Sequence, residues 1–391
     1  MSHAAPVLIA GGGIGGLAAA IALAQHGIAA RVLERRTEFA ETGAGIQLGP
    51  NGVRALRGLG VDRLLAPHAA TPSDITVHDG AGGTVLARLP LGDWIERRHG
   101  APYWVAHRRD VQAALLARAA ELPLVRIDTG FPVARVETLS TSVLVHSETG
   151  DAAEGMALIA ADGQFSRLRQ SHFQSPPLRF SGKTAARTVL DAEAVAGGLD
   201  KTCTGVWLAP DAHVVHYPVR AGREIAVVAI IDEDWREEDW GAPADRTRLV
   251  AALARFSPRL LKALDHAPDW RRWALFDADP LPSWRRGRVT LLGDAAHPIL
   301  PFLAQGGAMA LEDAVTLADC LQATPTDIEA AFLAYETARS ARTARVAAAS
   351  RRNGRIFHMS GLGALARNAA LRSLPGARVM AGYDWLYGLG R

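Results

Sequence analysis

VLIAGGGIGGLAAAIALAQHGIAARVLERR, from Val7 to Arg36, places a β-rich run, a cluster of glycines and a helical apolar repeat in direct succession. The run VLIA predicts a short strand, and apolar residues after the glycines recur at helical spacing, at Leu17, Ala20, Ile21 and Ala24. Gly27 is typical of a helix end, and AARVLE predicts a second strand that closes at Glu34. The stretch therefore predicts strand, turn, helix and strand, the beginning of an α/β fold.

Three glycines in G-x-G-x-x-G spacing, Gly11, Gly13 and Gly16, form the turn between that strand and that helix. The first permits a tight turn, the second lets a pyrophosphate approach the backbone, and the third lets helix and strand pack closely. Glu34 lies 18 residues after Gly16, where an acid commonly binds an adenosine ribose. Arg35 and Arg36 could indicate a phosphate on the ribose, and Arg35 is a candidate cofactor contact, although two arginines after a strand are more often solvated. These features predict a dinucleotide site; the alternative is a glycine-rich turn in an ordinary α/β protein.

The apolar character of this stretch also raises the question of a membrane segment or a secretory signal. A spanning helix needs about 20 mostly apolar residues, and the glycines interrupt this run. A secretory signal begins with positive charge, whereas the leader MSHAAP contains no Lys or Arg. We therefore expect no membrane segment and a cytoplasmic location.

Composition narrows the function classes. A chain of 391 residues predicts two domains or one elaborated domain, and its hydrophobic content of 49% is ordinary for a globular protein. The net charge of +3 is too small to favour nucleic-acid binding. Cys203 and Cys320 give neither metal-ligand spacing nor a disulfide framework, so we expect no metal and interpret them as buried thiols.

Two further strand-to-loop patterns lie far along the chain. MALIAADGQFSRLR predicts a strand that ends at Asp162–Gly163, and GRVTLLGDAAHP predicts another that ends at Gly293–Asp294. A helix is expected to begin near Gly306–Gly307, after a loop that contains prolines. At 180–275, alternating runs such as HVVHYPV and EIAVVAII indicate an antiparallel sheet, which DITVHD at 74–79 is expected to join.

An arginine-rich stretch follows. TDIEAAFLAYETARSARTARVAAASRR has Thr326 and Glu329 in capping-box spacing, which predicts a helix start. Arg339, Arg342 and Arg345 recur every three residues, so we expect them to share a solvated face. A nucleic-acid stripe is the alternative, but no aromatic residues interleave with these arginines.

The glycine motif, Asp162–Gly163 and Gly293–Asp294 occur in the order seen in single-component FAD-dependent aromatic hydroxylases, the class of p-hydroxybenzoate hydroxylase, and the chain resembles that class. The resemblance extends to three finer motifs, GAGIQLGPNGVRAL, AHRRDV and HPILPFLAQGGAMALEDA. The finer motifs are similar to the branch with 3-hydroxybenzoate 6-hydroxylase, salicylate hydroxylase and 6-hydroxynicotinate 3-monooxygenase. The resemblance implies an α/β fold: a Rossmann-like FAD-binding domain, an inserted antiparallel-sheet substrate domain and C-terminal helices. The expected ranges are 1–73, 103–178 and 276–350 for the FAD-binding domain, 74–102 and 179–275 for the substrate domain, and 351–391 for the helical segment.

The resemblance also implies which residues hold noncovalent FAD. The glycine motif and Glu34 would bind its ADP half, Asp294 its ribityl hydroxyls, and Arg108 the ribityl or phosphate region. The helix at Gly306 would direct its N-terminus at the flavin pyrimidine edge, where the reduced ring is negative. Asp162 either contacts FAD or anchors its own turn through backbone amides. The implied cofactor contacts are Gly13, Gly16, Glu34, Arg35, Gln47, Arg108, Asp294, Gly306 and Gly307.

HVVHYPV carries residues that the resemblance places beside the substrate. In an extended strand His213, Val215 and Tyr217 share one face, while His216 points to the other. The resemblance implies that His213 removes the phenolic proton and that Tyr217 and Gln305 orient the ring. An unperturbed imidazole pKa of about 6.5 suits this task. The alternative interpretation is a pair of ordinary polar residues on a half-exposed sheet.

The function implied is a flavin-dependent monooxygenase that uses NAD(P)H and O2 to hydroxylate a small phenolic or hydroxypyridine carboxylic acid. The family mechanism passes through a flavin C4a-hydroperoxide. NADH is favoured over NADPH because no separate nicotinamide domain is visible. The alternatives are a flavin oxidoreductase without oxygen transfer and a noncatalytic flavoprotein that senses aromatic ligands. A homodimer is the candidate assembly, which the sequence leaves open.

Overall fold

The structure is a computed structural model that describes residues 5–39, 45–238 and 241–388. Gly43 and Ala44 of the motif GAGIQLGP lie outside the described residues. The strands are β1 Val7–Ala10, β2 Ala30–Glu34, β3 Gly45–Leu48, β4 Asp74–Asp79, β5 Val85–Pro90, β6 Trp104–His107, β7 Val125–Thr129, β8 Val133–Thr138, β9 Val143–Ser147, β10 Ala152–Gly155, β11 Ala157–Ala160, β12 Arg179–Asp191, β13 Thr204–Ala209, β14 Ala212–Val219, β15 Glu224–Asp232, β16 Ala242–Pro243, β17 Arg271–Asp277, β18 Arg285–Arg286 and β19 Val289–Leu291.

Helices occupy much of the rest of the described chain. They are α1 Ile14–Gln25, α2 Pro50–Gly58, α3 Asp62–Leu65, α4 Gly92–His99, α5 Arg108–Ala120, α6 Arg167–Ser171, α7 Arg246–Leu253, α8 Pro258–Leu264, α9 Gly306–Ala323, α10 Ile328–Phe357, α11 Gly361–Ser373, α12 Gly376–Ala381 and α13 Asp384–Tyr387. Short 3-10 turns lie at Ala66–His68, Gly293–Ala295 and Pro301–Leu303. No helix in these ranges is both long and apolar enough to cross a membrane.

A six-stranded sheet has the order β18-β19-β11-β1-β2-β7 and is parallel except for the β18–β19 pair. The predicted strand–turn–helix–strand unit at Val7–Arg36 is confirmed as β1, α1 and β2. Because β19, β11 and β1 are adjacent and parallel, the three sequence motifs that follow them meet at one edge of the sheet. Ligands of open parallel sheets bind beyond the carboxyl ends of the strands.

The second large sheet has eight strands in the order β16-β17-β12-β15-β14-β13-β4-β5. The antiparallel sheet predicted for 180–275 is confirmed, and Asp74–Asp79 joins it as β4. One pair departs from the prediction, because β13 pairs with β4 in parallel. β4 comes from a distant segment of the chain, so no hairpin turn constrains its direction. One face of this sheet, the packed face, is covered by α7 and α8 through an apolar cluster that includes Trp207 and Val214. The other face, the cavity face, looks toward α9 and the end of α10.

Two expectations for the arginine-rich helix α10 are wrong. The helix begins at Ile328 with Asp327 as its cap, whose carboxylate accepts from the amide of Ala330 at 3.0 Å, instead of at a Thr326–Glu329 box. Its arginines do not share a solvated face. Arg339 is buried and Arg342 half-buried, because acidic residues of the neighbouring α9 pair with both.

Those acids are Glu312 and Asp313. Arg339 Nε donates to Asp313 Oδ1 at 2.7 Å, and Arg342 Nε donates to Glu312 Oε2 at 2.6 Å. A buried charge is tolerated only when it is paired, so the acids of α9 explain why arginines lie inside. Asp313 Oδ2 also lies 2.6 Å from His297 Nε2, and this hydrogen bond joins the loop after β19 to α9.

Candidate active site

A cavity of about 590 Å³ lies between the carboxyl edge of the parallel sheet and the cavity face of the large sheet. Gly13, Asp294 and Gly306 line it from the first side, and His213 and Tyr217 line it from the second. One end of the cavity therefore belongs to the parallel sheet and the other to the large, mainly antiparallel sheet, which the sequence predicted as separate parts of the fold. Within the described ranges, no group of three or more His, Cys, Asp or Glu side chains could hold a metal ion.

The glycine loop has two kinds of glycine. A Cβ on Gly16 would lie 1.9 Å from the carbonyl oxygen of Gly11, so this position closes the packing of α1 onto β1. A Cβ on Gly13 would meet no atom within 4 Å. Gly13 is the N-cap of α1, where backbone amides point outward and favour an anion. The open space at Gly13 is what a bound pyrophosphate requires.

Glu34 is buried at the end of β2, and its carboxylate is joined to the glycine loop. Gly12 donates its amide to Glu34 Oε2 at 2.6 Å, and Arg36 donates its amide to Oε1 at 2.9 Å. The acid thus lies against the loop that the sequence linked to it. Arg35 is exposed to solvent and is not among the cavity-lining residues, so the structure does not bring it to the site.

Asp294 follows β19 and faces the cavity together with Arg108, the first residue of α5. Burial raises the pKa of Asp294, and Arg108 and His297 oppose that shift through their charge. Asp162 after β11 behaves differently, because its carboxylate accepts from the amide of Leu168 at 3.4 Å and is not in the lining. The geometry favours the turn-anchoring interpretation of Asp162.

The helix expected near Gly306 is confirmed as α9, whose N-terminus opens onto the cavity. Gly306 and Gly307 are its first residues, and a Cβ on Gly307 would lie 2.5 Å from Cδ1 of Ile46. The end of a helix of this length carries about half a positive charge. The cavity therefore meets bare backbone and a positive dipole end at this position.

Gln305, the N-cap of α9, is buried and held by a residue that sequence reasoning did not single out. Asn51 donates its side-chain amide to Gln305 Oε1 at 2.9 Å, which leaves the Gln305 amide nitrogen for a ligand. Asn51 lies in the motif GAGIQLGPNGVRAL, so the motif could have indicated Asn51 as a site residue. Gln47, also in the cavity lining, accepts from the Tyr103 hydroxyl at 2.6 Å.

His213 is only 1% exposed and lies on the cavity face of β14, as the alternation of that strand predicted. Phe302 and Phe357 surround the imidazole at centroid distances of 5.6 and 5.2 Å. His213 Nδ1 is hydrogen-bonded to His358 Nε2 at 2.8 Å, so Nε2 is left for a ligand. Burial, with His358 and Lys183 adding to it, lowers the pKa of His213 well below its usual value. The imidazole is therefore neutral at neutral pH and has a lone pair to accept a proton.

Tyr217 is two residues further along the cavity face. Its hydroxyl donates to the carbonyl oxygen of Gly45 at 3.0 Å, and burial raises its pKa. A Cβ on Gly45 would lie 2.3 Å from the Tyr217 ring, which explains the glycine. The hydroxyl oxygen can still accept a hydrogen bond from a ligand, while the hydroxyl proton is used in the hydrogen bond to β3.

His216 lies on the packed face, as predicted, and belongs to the core. Trp207 donates its indole N–H to His216 Nδ1 at 3.0 Å. Burial lowers the pKa of His216 to about 4. Cys203 is also buried and outside the cavity lining, and burial raises the pKa of its thiol to about 11.

Comparison with known proteins agrees with this geometry. The profile of the FAD-binding domain family matches residues 4–350. The chain is 39% identical to 3-hydroxybenzoate 6-hydroxylase of Polaromonas naphthalenivorans, over 98% of this chain and 96% of that one. It is 33% identical to 6-hydroxynicotinate 3-monooxygenase of Bordetella bronchiseptica, over 89% and 91%. The crystal structure of Klebsiella pneumoniae HpxO with FAD and uric acid superposes with a TM-score of 0.86 at 28% identity, over 98% and 96% of the two chains.

Proposed function

The chain belongs to the FAD-binding domain family and is a flavin-dependent aromatic monooxygenase, and from that premise we propose that it hydroxylates a small phenolic or hydroxypyridine carboxylic acid. The observation that carries the proposal is that one cavity has the glycine loop, Asp294 and the start of α9 at one end and His213 at the other. Relatives that match nearly the whole chain act on a hydroxybenzoate and a hydroxynicotinate.

The residues present fit FAD. The open space at Gly13 would take the pyrophosphate, Glu34 the ribose, and Asp294 with Arg108 the ribityl chain. The N-terminus of α9 at Gly306 would lie against the pyrimidine edge of the flavin. The chemistry that FAD would supply when bound is the uptake of electrons from NAD(P)H and the activation of O2 for oxygen transfer to the aromatic ring.

The chain's own groups would prepare the substrate. His213 Nε2 would accept the phenolic proton, which makes the ring a better nucleophile, and the Gln305 amide would donate to a ring substituent. Arg108, Arg187 and Arg367 are among the residues that line the cavity, and their positive charge favours an anionic ligand such as a carboxylate. Phe302 and Phe357 supply apolar walls that exclude water.

We extend the proposal to NADH as the preferred reductant and to the cytoplasm, where NADH is produced. The described residues contain a single G-x-G-x-x-G turn, which FAD would occupy, so the pyridine nucleotide would bind only transiently. The ratio of kcat/KM for NADH to that for NADPH tests the preference. A ratio below one would contradict it.

The reaction is tested with a panel of hydroxybenzoates and hydroxypyridine carboxylates. One of them should stimulate NADH oxidation and yield a hydroxylated product that contains one atom of ¹⁸O from ¹⁸O2. A stimulated reaction without labelled product would show flavin oxidation without oxygen transfer. Failure of the whole panel to stimulate NADH oxidation would reject the substrate class.

The cofactor site is tested with Gly13→Val. A side chain there would fill the open space at the N-cap of α1, so the purified variant should hold little FAD, whereas the parent should hold about one per chain. Gly197→Val is the matched control, because Gly197 also has nothing within 4 Å of its Cβ but is exposed and outside the cavity. Full flavin content in Gly13→Val would contradict the assignment.

A further inference from the structure

A row of hydrogen bonds leads from the buried imidazole of His213 to the surface. His213 Nδ1 lies 2.8 Å from His358 Nε2, and His358 Nδ1 lies 3.2 Å from Asp232 Oδ1. Exposure rises along the row, from 1% for His213 to 7% and 48% for the side chains of His358 and Asp232. Lys183, opposite Asp232 in the β12–β15 ladder, contacts both of the outer residues.

The geometry allows one arrangement of protons that prepares His213 as a base. If His358 Nδ1–H donates to Asp232, then His358 Nε2 has a lone pair and must accept from His213 Nδ1–H. His213 Nε2, the nitrogen without a partner among the described residues, then presents its lone pair to a ligand. In a neutral imidazole the bond made by one nitrogen fixes the role of the other.

Lys183 supports a second arrangement of protons, in which His358 carries its proton on Nε2 and not on Nδ1. Its ammonium lies 3.0 Å from His358 Nδ1 and can donate to that nitrogen once the nitrogen has lost its proton. His358 Nε2–H then donates to His213 Nδ1, and His213 Nε2–H donates toward the cavity. Both proton arrangements therefore have partners in place, without movement of a side chain.

We propose that His358 aligns His213 and conducts the substrate proton to solvent beside Asp232; this role rests on the proposed function, in which His213 deprotonates a phenol. The phenolic O–H bond breaks as His213 Nε2–H forms. His213 Nδ1–H breaks as His358 Nε2–H forms, and the His358 Nδ1 proton leaves through Asp232 Oδ1 to water. After these transfers the two histidines have changed from the first arrangement of protons to the second. One proton has reached solvent, and a phenolate remains in the cavity.

The charges around His213 and His358 favour transfer of the substrate proton to solvent over a state in which His213 stays protonated on both nitrogens. Lys183 from β12 and Asp232 from β15 both contact His358. Arg367 from α11 donates to the carbonyls of Ile356 and Phe357 and, within the described ranges, makes no hydrogen bond with either imidazole. Burial, His358 and Lys183 lower the pKa of His213, so an imidazolium there is disfavoured. Burial would raise the pKa of Asp232, but hydrogen bonds from His358 and Lys183 outweigh it and keep the carboxylate ionised.

The first test needs no aromatic ligand. Histidine ¹⁵N spectra of the FAD-loaded enzyme, with the His213 signals assigned from the His213→Gln spectrum, should show the Nδ1–H tautomer of His213 in the parent. His358→Phe should shift His213 toward the Nε2–H tautomer, because the acceptor for Nδ1–H is gone. His358→Gln gives a second, polar variant in case His358→Phe does not fold. An unchanged His213 tautomer in the folded variant would overturn the alignment.

The second test uses the panel compound that the parent hydroxylates, with 3-hydroxybenzoate as the first probe. His358→Gln should lower the hydroxylation rate at pH 7 at least about 10-fold, yet less than the about 10²- to 10⁴-fold expected for loss of a general base. The deficit should shrink as pH approaches about 10, where a phenol ionises in solution and needs no relay. A deficit that is equal at every pH would overturn the proton path, since a merely structural defect does not depend on substrate ionisation.

His266→Gln is the control, because His266 is exposed and is not among the residues that line the cavity; its rate and pH profile should match those of the parent. FAD content is measured for every variant, so that cofactor loss is separated from relay loss. If the parent hydroxylates nothing in the panel, the proposed function fails, while the tautomer measurement still decides whether His358 aligns His213. If the parent is active and His358→Gln is equally fast, the relay fails alone.

Discussion

The two faces of strand β14 use the same residue type in opposite ways. His213 on the cavity face and His216 on the packed face are three residues apart, and both are buried with a lowered pKa. His213 has one nitrogen toward the cavity and the other in a row that reaches solvent. His216 accepts from Trp207, and a Cβ on Gly205 would lie 2.0 Å from its ring, so it is enclosed.

Burial and a lowered pKa therefore do not by themselves mark a functional histidine. The buried neutral form is the same on both faces, and burial is the main cause of the shift in each case. The difference is access: of the two histidines, only His213 lies in the cavity lining and begins a row of hydrogen bonds that reaches the surface. Substitutions on the two faces should therefore separate into losses of rate and losses of stability.

The largest expected effect is on the cavity face. His213→Ala should lower the hydroxylation rate by about 10²- to 10⁴-fold, the usual cost of losing a general base. Flavin reduction should fall less, because hydride transfer needs no phenolate, and the ratio of hydrogen peroxide to hydroxylated product should rise. Product and peroxide per NADH oxidised are the measurements, with FAD content as the check on folding. A variant as fast and as well coupled as the parent would make His213 equivalent to His216.

The second prediction concerns the packed face and pH. The folded-state pKa of His216 is about 4 and its unfolded value is near 6.5, so below pH 6.5 the unfolded chain takes up a proton that the folded chain refuses. This term lowers the free energy of unfolding as pH falls from 6.5 to about 4, by up to about 3 kcal/mol. His216→Gln, which cannot titrate but can still accept from Trp207, should show a shallower loss of stability in that range.

Urea unfolding at pH 7 and pH 5, followed by tryptophan fluorescence, measures this difference. His266→Gln serves as the exposed control and should keep the slope of the parent. Hydroxylation at pH 7 should be nearly unchanged in His216→Gln. Equal pH slopes in the parent and His216→Gln would show that other groups carry the acid sensitivity.

The smallest effect is expected for Tyr217→Phe on the cavity face. The variant loses the donor to the Gly45 carbonyl, which should cost about 0.5–1.5 kcal/mol of unfolding free energy at any pH below the ionisation of tyrosine. Substrate binding and coupling should weaken mildly, because the aromatic ring remains. A large loss of hydroxylation with unchanged stability would instead assign the hydroxyl to the substrate.

Local patterns predicted much of this molecule. The unit from Val7 to Glu34, the start of α9 at Gly306 and the two faces of β14 depend on short-range spacing, which the sequence displays directly. What failed depends on partners far away in the chain. Arg339 is buried because acids of α9 meet it, and a three-residue repeat within α10 carries no information about that neighbour.

The candidate site divides in the same way. Asp294 and Gln305 were predicted as site residues from the motifs that contain them, and both line the cavity. His358 is 145 residues from His213 and belongs to no motif. Its importance arises only when the end of α10 reaches the sheet. Sequence spacing linked Glu34 to the glycine loop, but it did not indicate that the carboxylate would accept a hydrogen bond from the amide of Gly12, a glycine outside the three of the motif.

The order of strands in the parallel sheet has a consequence for synthesis of the chain. β1 lies between β2 and β11, and β19 lies beyond β11, so the cofactor edge is assembled from segments about 280 residues apart. At about 5–20 residues per second, β1 leaves the ribosome roughly 15–55 s before β19. During that interval the apolar β1 and α1 have neither β19 nor the N-terminus of α9 beside them. We expect nascent chains to acquire flavin only after α9 emerges, and production in the cell to depend on chaperones that cover these segments until then.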